Sequence, residues 1–114
     1  MCGIVGLFSP SPLAENLPET LLAMLGAIGH RGPDGIGYML DERCALGSAR
    51  LAILDPAAGI QPMSDESGRY WLCYNGEIYN YRELRRELEG LGRRFLTRCD
   101  TEVVLQAWLS LPLK

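Results

Sequence analysis

Residues 80–92, NYRELRRELEGLG, admit one local structure. Leu84, Leu88 and Leu91 recur at i, i+4 and i+7, charges fill most other positions, and Gly92 closes the run, which is the pattern of an amphipathic helix. Asn80 stands at its N-cap, Glu83 completes a capping box, and Tyr79 is placed to staple onto Leu84. The surrounding stretches follow another pattern. Cys2–Phe8, Gly35–Asp41, Cys44–Leu54, Tyr70–Tyr79 and Arg94–Cys99 are rich in Ile, Val, Tyr, Leu and Cys and bounded by Gly, Pro, Asp or Ser, as strands are. Two further helices interleave with them. The first has Asn16 as N-cap, Pro18 in its first turn, an apolar stripe of Leu21, Leu22, Leu25 and Ile28, and a stop at Gly29. The last starts near Asp100, buries Val103, Val104, Ala107 and Trp108, and is broken by Pro112. Helices set among strands in this way predict an α+β or layered α/β fold.

A chain of 114 residues suits one domain with a single core, and 47% hydrophobic with 22% charged residues is a globular balance. A net charge of −3 gives no electrostatic reason to expect a nucleic-acid partner. No apolar run has the length of a membrane span, and the apolar run that begins at Cys2 lacks the basic segment that would mark a secretory leader. The cysteines, Cys2, Cys44, Cys73 and Cys99, form no Cys-x-x-Cys pair and share the chain with one histidine, His30, so no metal site is expected. With nothing pointing to export, the thiols are read as reduced and the compartment as cytoplasmic. HRGPDG at 30–35 is a turn, and DPAAGIQPMSDESG at 55–68 is a long loop of the kind that often carries function.

A few positions could carry chemistry. Cys2 is either a small buried side chain at the start of a strand or, once Met1 is removed, a thiol and a free amine on one carbon atom. An α-amine has a reference pKa of about 7.7–8.0, low enough to accept the thiol proton, so the chain would supply its own general base. Asn75-Gly76 reads either as a type I′ hairpin turn or as two donors, a side-chain amide and a bare backbone N–H, aimed at one oxyanion. Glu77 beside them could hold a cationic amine. Arg50 lies in an apolar strand and needs a carboxylate, internal or from a ligand. Asp100 either caps the last helix or receives a substrate ammonium. No phosphate-cradling motif is present.

MCGIVGLF, HRGPDG, ARLAILD, AGIQPM, YNGEIYNY and CDTEV occur in the order and approximate spacing of class II glutamine amidotransferase domains. HRGPDG and YNGEIYNY resemble the asparagine synthetase branch in particular. The resemblance covers residues 1 to about 108 and implies the four-layer αββα sandwich of N-terminal nucleophile hydrolases. It implies Cys2 as the nucleophile on the side-chain amide of L-glutamine, with its α-amine as base, and Asn75 and Gly76 as the oxyanion hole. Arg50 would take the glutamine α-carboxylate, Glu77 and Asp100 the α-ammonium, and Arg31 and Asp34 would shape the turn behind the thiol. A mobile loop over the glutamine would fall within Leu51–Met63.

Two departures accompany the likeness. Many relatives carry Gly-His-x-Arg where this chain has Gly47-Ser48-Ala49-Arg50. The family's domain is also close to twice this length, so residues 1–114 are expected to be its N-terminal portion, giving an incomplete sandwich with unpaired strand edges that favour oligomers. No S-G-G-x-D-S nucleotide loop occurs, so ATP and Mg are expected only for a synthetase domain or subunit that receives the ammonia and is absent here. The alternatives are an inactive glutamine-binding or interaction module, or a glutaminase domain of another class II branch.

Overall fold

The computed structural model describes residues 2–12, 17–32, 35–50 and 60–111. Strands β1 (Gly3–Phe8), β2 (Gly35–Leu40) and β3 (Cys44–Arg50) form an antiparallel sheet with β3 in the centre. Gly3 stands opposite Ala49 and Phe8 opposite Cys44, while Gly35 stands opposite Arg50 and Leu40 opposite Ala45. Helix α1 (Leu17–Ile28) tightens at its end into a 3-10 turn over Gly29–Arg31. It lies on β1 and β3, where Leu21, Leu25 and Ala45 make a core flanked by Val5, Leu7, Leu17 and Ile28. Leu22 of the expected stripe points outward, and the expected cap Asn16 lies outside the described residues.

The sheet's other face carries the chain from Gln61 to Cys73. Gly37 lies so close to it that a side chain there would overlap the Gln61 carbonyl, and the Cys73 thiol donates to the Gly47 carbonyl at 3.7 Å. This segment holds the hairpin β4 (Met63–Ser64) and β5 (Trp71–Leu72), with Met63 opposite Leu72. Its turn is closed by the Asp65 carboxylate, which accepts from the Ser67 hydroxyl at 2.6 Å and from the Tyr70 N–H at 3.2 Å. Beyond the hairpin, α3 (Asp100–Leu109) packs on β4, and α2 (Tyr81–Gly90) packs on α3. The order across the molecule is therefore helix, sheet, hairpin, helices.

Several local expectations are corrected. No strand forms over Arg94–Cys99, because the Glu102 carboxylate takes the N–H groups of Leu96 and Thr97, at 2.8 and 2.7 Å, that a neighbouring strand would have used. Of Tyr70–Tyr79 only Trp71–Leu72 is strand, and of Cys44–Leu54 the part beyond Arg50 lies outside the described residues. Asn80 makes no side-chain cap bond, since its φ of −96° and ψ of 27° are not the extended conformation such a cap needs. Tyr79 is 91% exposed and staples nothing. Leu88 is buried as expected, Leu84 half-buried, and Leu91 exposed. Helix α3 buries Asp100, Thr101, Glu102, Val103 and Leu105, leaving Ala107 and Trp108 outside; Pro112 is not among the described residues.

Candidate active site

The first group of candidate residues meets at one end of the three-stranded sheet. Cys2 immediately precedes β1, and because Gly3 stands opposite Ala49, Cys2 reaches the level of Arg50, the last residue of β3. Both are half-buried. The 3-10 turn delivers Arg31 to the same end, where its Nε donates to the Cys2 carbonyl at 3.3 Å. Gly32 follows against the Ala49 carbonyl and the Arg50 nitrogen, an approach so close that any side chain would overlap them. Asp34 lies outside the described residues, and so do Leu51 to Gly59 of the expected loop.

The second group lies on the other layer. Asn75, Gly76 and Glu77 are exposed, and the residues on either side of them are tied down. The Ile78 N–H donates to Asp100 Oδ2 at 3.0 Å, and the Tyr74 N–H donates to Gln61 Oε1 at 2.7 Å. Gln61 Nε2 then donates to Thr101 Oγ1 at 3.2 Å, so both ends of the Asn-Gly-Glu turn are referred to the start of α3. This is not a hairpin turn, because β5 pairs with β4 and helix α2 follows. Asp100 does not cap α3 either: Cys99 holds that position, and the Asp100 carboxylate reaches across to Ile78. A side chain at Gly76 would meet the Tyr74 hydroxyl at 2.8 Å, so the phenol lies across this glycine. Burial, then the charges of Asp100 and Glu77, push the Tyr74 hydroxyl above the ordinary tyrosine value and keep it a neutral donor.

The stem of the turn connects the two groups, since Cys73 touches the Gly47 carbonyl three residues before Arg50. Chemically the arrangement offers a cysteine whose backbone carbonyl meets the Arg31 guanidinium, and an exposed Asn-Gly-Glu turn tied to the Asp100 carboxylate. Two of the other thiols, Cys73 and Cys99, are poorly suited to attack. Burial pushes Cys73 up to about 11, leaving it protonated at neutral pH, and Cys99 is buried with its thiol 3.7 Å from Asp100 Oδ1. Ser48, at the position where the sequence resemblance leads to an expectation of histidine, is fully buried, and its hydroxyl has no hydrogen-bond partner among the described residues.

Gln61, Tyr74 and Thr101 carry this geometry without having been singled out as site residues in the sequence. Gln61 did leave a signal, a polar side chain between Ile60 and Pro62 that must pair if buried, as it is at 6% exposure.

The sequence model described as "Glutamine amidotransferase domain" matches residues 1–112. Among individual proteins, the chain is 49% identical over 110 residues to "Asparagine synthetase [glutamine-hydrolyzing] 1" of Bacillus subtilis (strain 168), covering 95% of this chain and 17% of that protein. It is 38% identical over 104 residues to "Asparagine synthetase, nodule [glutamine-hydrolyzing]" of Pisum sativum, covering 91% of this chain and 17% of that protein. It is 34% identical over 112 residues to "Asparagine synthetase [glutamine-hydrolyzing] 3" of Bacillus subtilis (strain 168), covering 96% and 18%. The chain thus spans about 17% of the length of the first two relatives.

Proposed function

This chain belongs to the glutamine amidotransferase domain family, and from that premise we propose that it hydrolyses the side-chain amide of glutamine through a Cys2 thioester. With Met1 removed, the Cys2 amine takes the thiol proton and the sulfur attacks the amide carbon. The oxygen of the tetrahedral intermediate receives hydrogen bonds from the Asn75 amide and the Gly76 N–H. Collapse expels ammonia, which carries away the proton held by the amine, and leaves a thioester. Water then attacks the thioester, releasing glutamate and restoring the thiol. Arg50 grips the glutamine α-carboxylate, Glu77 and Asp100 receive its α-ammonium, and Arg31, which donates to the Cys2 carbonyl, supports the backbone behind the thiol.

The observation that supports this most is the pinning of the exposed Asn75–Glu77 turn to Asp100, which sets neutral donors and an acid at fixed separation. The layer order of helix, sheet, hairpin and helices fits the αββα sandwich of N-terminal nucleophile hydrolases. By analogy with relatives named asparagine synthetases, the ammonia is passed to the synthesis of an asparagine-type amide in a synthetase region.

A glutaminase assay tests the reading. Cys2→Ala lowers turnover by roughly a thousandfold or more. Asn75→Ala lowers kcat by about 100- to 1,000-fold while leaving KM near its starting value, because the donor acts on the intermediate rather than on bound substrate. Turnover by Cys2→Ala equal to that of the unsubstituted chain contradicts the proposal.

A further inference from the structure

We infer that Gln61 is a positioning residue of the glutamine site: its side-chain amide couples the Asn75–Glu77 turn to the acid at the start of α3. The role rests on the glutaminase reading proposed above. A primary amide both accepts and donates, and Gln61 uses the two ends on different elements. Its oxygen accepts from Tyr74 N–H at 2.7 Å, immediately before Asn75, and its nitrogen donates to Thr101 Oγ1 at 3.2 Å, immediately after Asp100. Both Gln61 and Thr101 are buried, at 6% and 2% exposure, so water does not replace a lost bond cheaply. The backbone of Gln61 is fixed as well, its carbonyl lying against Gly37 of β2, so the amide hangs from the sheet rather than from the turn it holds.

The consequence is a closed set of tethers. The turn is held at Tyr74 through Gln61 and at Ile78 through Asp100 Oδ2 at 3.0 Å, leaving Asn75, Gly76 and Glu77 exposed between the two. Loss of the Gln61 tether frees the Tyr74 end. The Ile78–Asp100 bond and the more distant Cys73 contact with the Gly47 carbonyl then remain, and the separation between the oxyanion donors and the ammonium acid is no longer defined. Glutamine recognition loosens while the thiol of Cys2, on the other layer, keeps its surroundings.

Hydrogen exchange of backbone amides in the full chain tests the coupling without reference to catalysis. Gln61→Ala raises exchange at Tyr74 and, together with it, at Ile78 by about tenfold or more, while amides of β1 and β3 keep their rates. Thr101→Val, which keeps the side-chain shape but removes the acceptor, does the same at Ile78 and carries the test where Gln61→Ala does not fold. Thr101→Ser keeps the hydroxyl and restores protection. Exchange at Ile78 unchanged in both Gln61→Ala and Thr101→Val overturns the inference.

Alkylation of Cys2 supplies the functional half. In Gln61→Ala and in Thr101→Val, labelling by a diazoketone analogue of glutamine slows about tenfold, as for weakening one hydrogen bond to a charged group. Labelling by iodoacetamide, which needs no recognition of an amino acid, stays at its original rate. Equal slowing of both reagents makes Gln61 merely structural and overturns the inference. If the analogue fails to label Cys2 in the unsubstituted chain, the glutaminase reading fails, and the exchange result still decides whether Gln61 couples the two elements.

Discussion

The two helical layers of this molecule are attached differently, although α3 too buries apolar residues, Val103 and Leu105. On one side α1 is seated by apolar contact: Leu21 and Leu25 are essentially inaccessible, and they meet Ala45 with Val5, Leu7 and Ile28 around it. On the other side the start of α3 is held by buried polar groups. Gln61 and Thr101 bond each other, Asp100 takes the Ile78 N–H, and Glu102 takes the Leu96 N–H, the Thr97 N–H and the Thr97 hydroxyl. Apolar packing is non-directional and grades with area, whereas a carboxylate serving three donors has one orientation that satisfies them. The polar layer is the one that bears Asn75, Gly76, Glu77 and Asp100. A site that must hold donors and acids at a set separation is better served by directional bonds than by a core that can slide.

Substitutions that conserve shape separate the two layers most clearly. Glu102→Gln changes almost no volume but turns an acceptor oxygen into a donor facing Leu96 or Thr97, and it should lower unfolding free energy by about 2–3 kcal/mol. Leu25→Met is its counterpart in the apolar layer and should cost less than about 1.5 kcal/mol, because the thioether chain fills the same space. Urea unfolding of both variants measures the difference; equal costs would mean that the α3 layer is held by its apolar contacts after all.

A smaller effect concerns the hairpin between the layers. The Ser67 hydroxyl, more than the backbone N–H groups of Tyr70, Ser67 and Arg69, holds the Asp65 carboxyl below its ordinary value of 3.8. A carboxyl lowered in the folded state stabilises it fully above the ordinary value, and the contribution is lost as pH falls through the folded-state value. Trp71, whose indole N–H bonds the Gly68 carbonyl at 2.9 Å, reports on this turn. Its fluorescence should change on acidification below the ordinary carboxylate range, and Asp65→Asn should remove that component; a transition unaltered by Asp65→Asn assigns it elsewhere.

What was legible in the sequence follows the same division. β1, α1, β2 and the described part of β3 were readable because their partners are each other, and apolar periodicity records that kind of partnership. The stretches Tyr70–Tyr79 and Arg94–Cys99 have the composition of strands, yet their N–H groups are taken by side chains: Tyr74 by Gln61, Ile78 by Asp100, Leu96 and Thr97 by Glu102. Local pattern does not contain a partner that arrives from a distant element. Charged and nucleophilic site candidates such as Cys2, Arg50, Glu77 and Asp100 stood out by chemical type. Gln61, neutral and without chemistry of its own, became visible only through what its amide touches.

The reactive group proposed for this chain is the thiol of Cys2 with Met1 removed. Intact and peptide mass after exposure to a diazoketone analogue of glutamine tests it in one measurement. The expected product is a chain lacking Met1 that carries a single adduct on Cys2, with Cys44, Cys73 and Cys99 unmodified. Retention of Met1 in the labelled chain, or an adduct on one of the other three thiols, would contradict it.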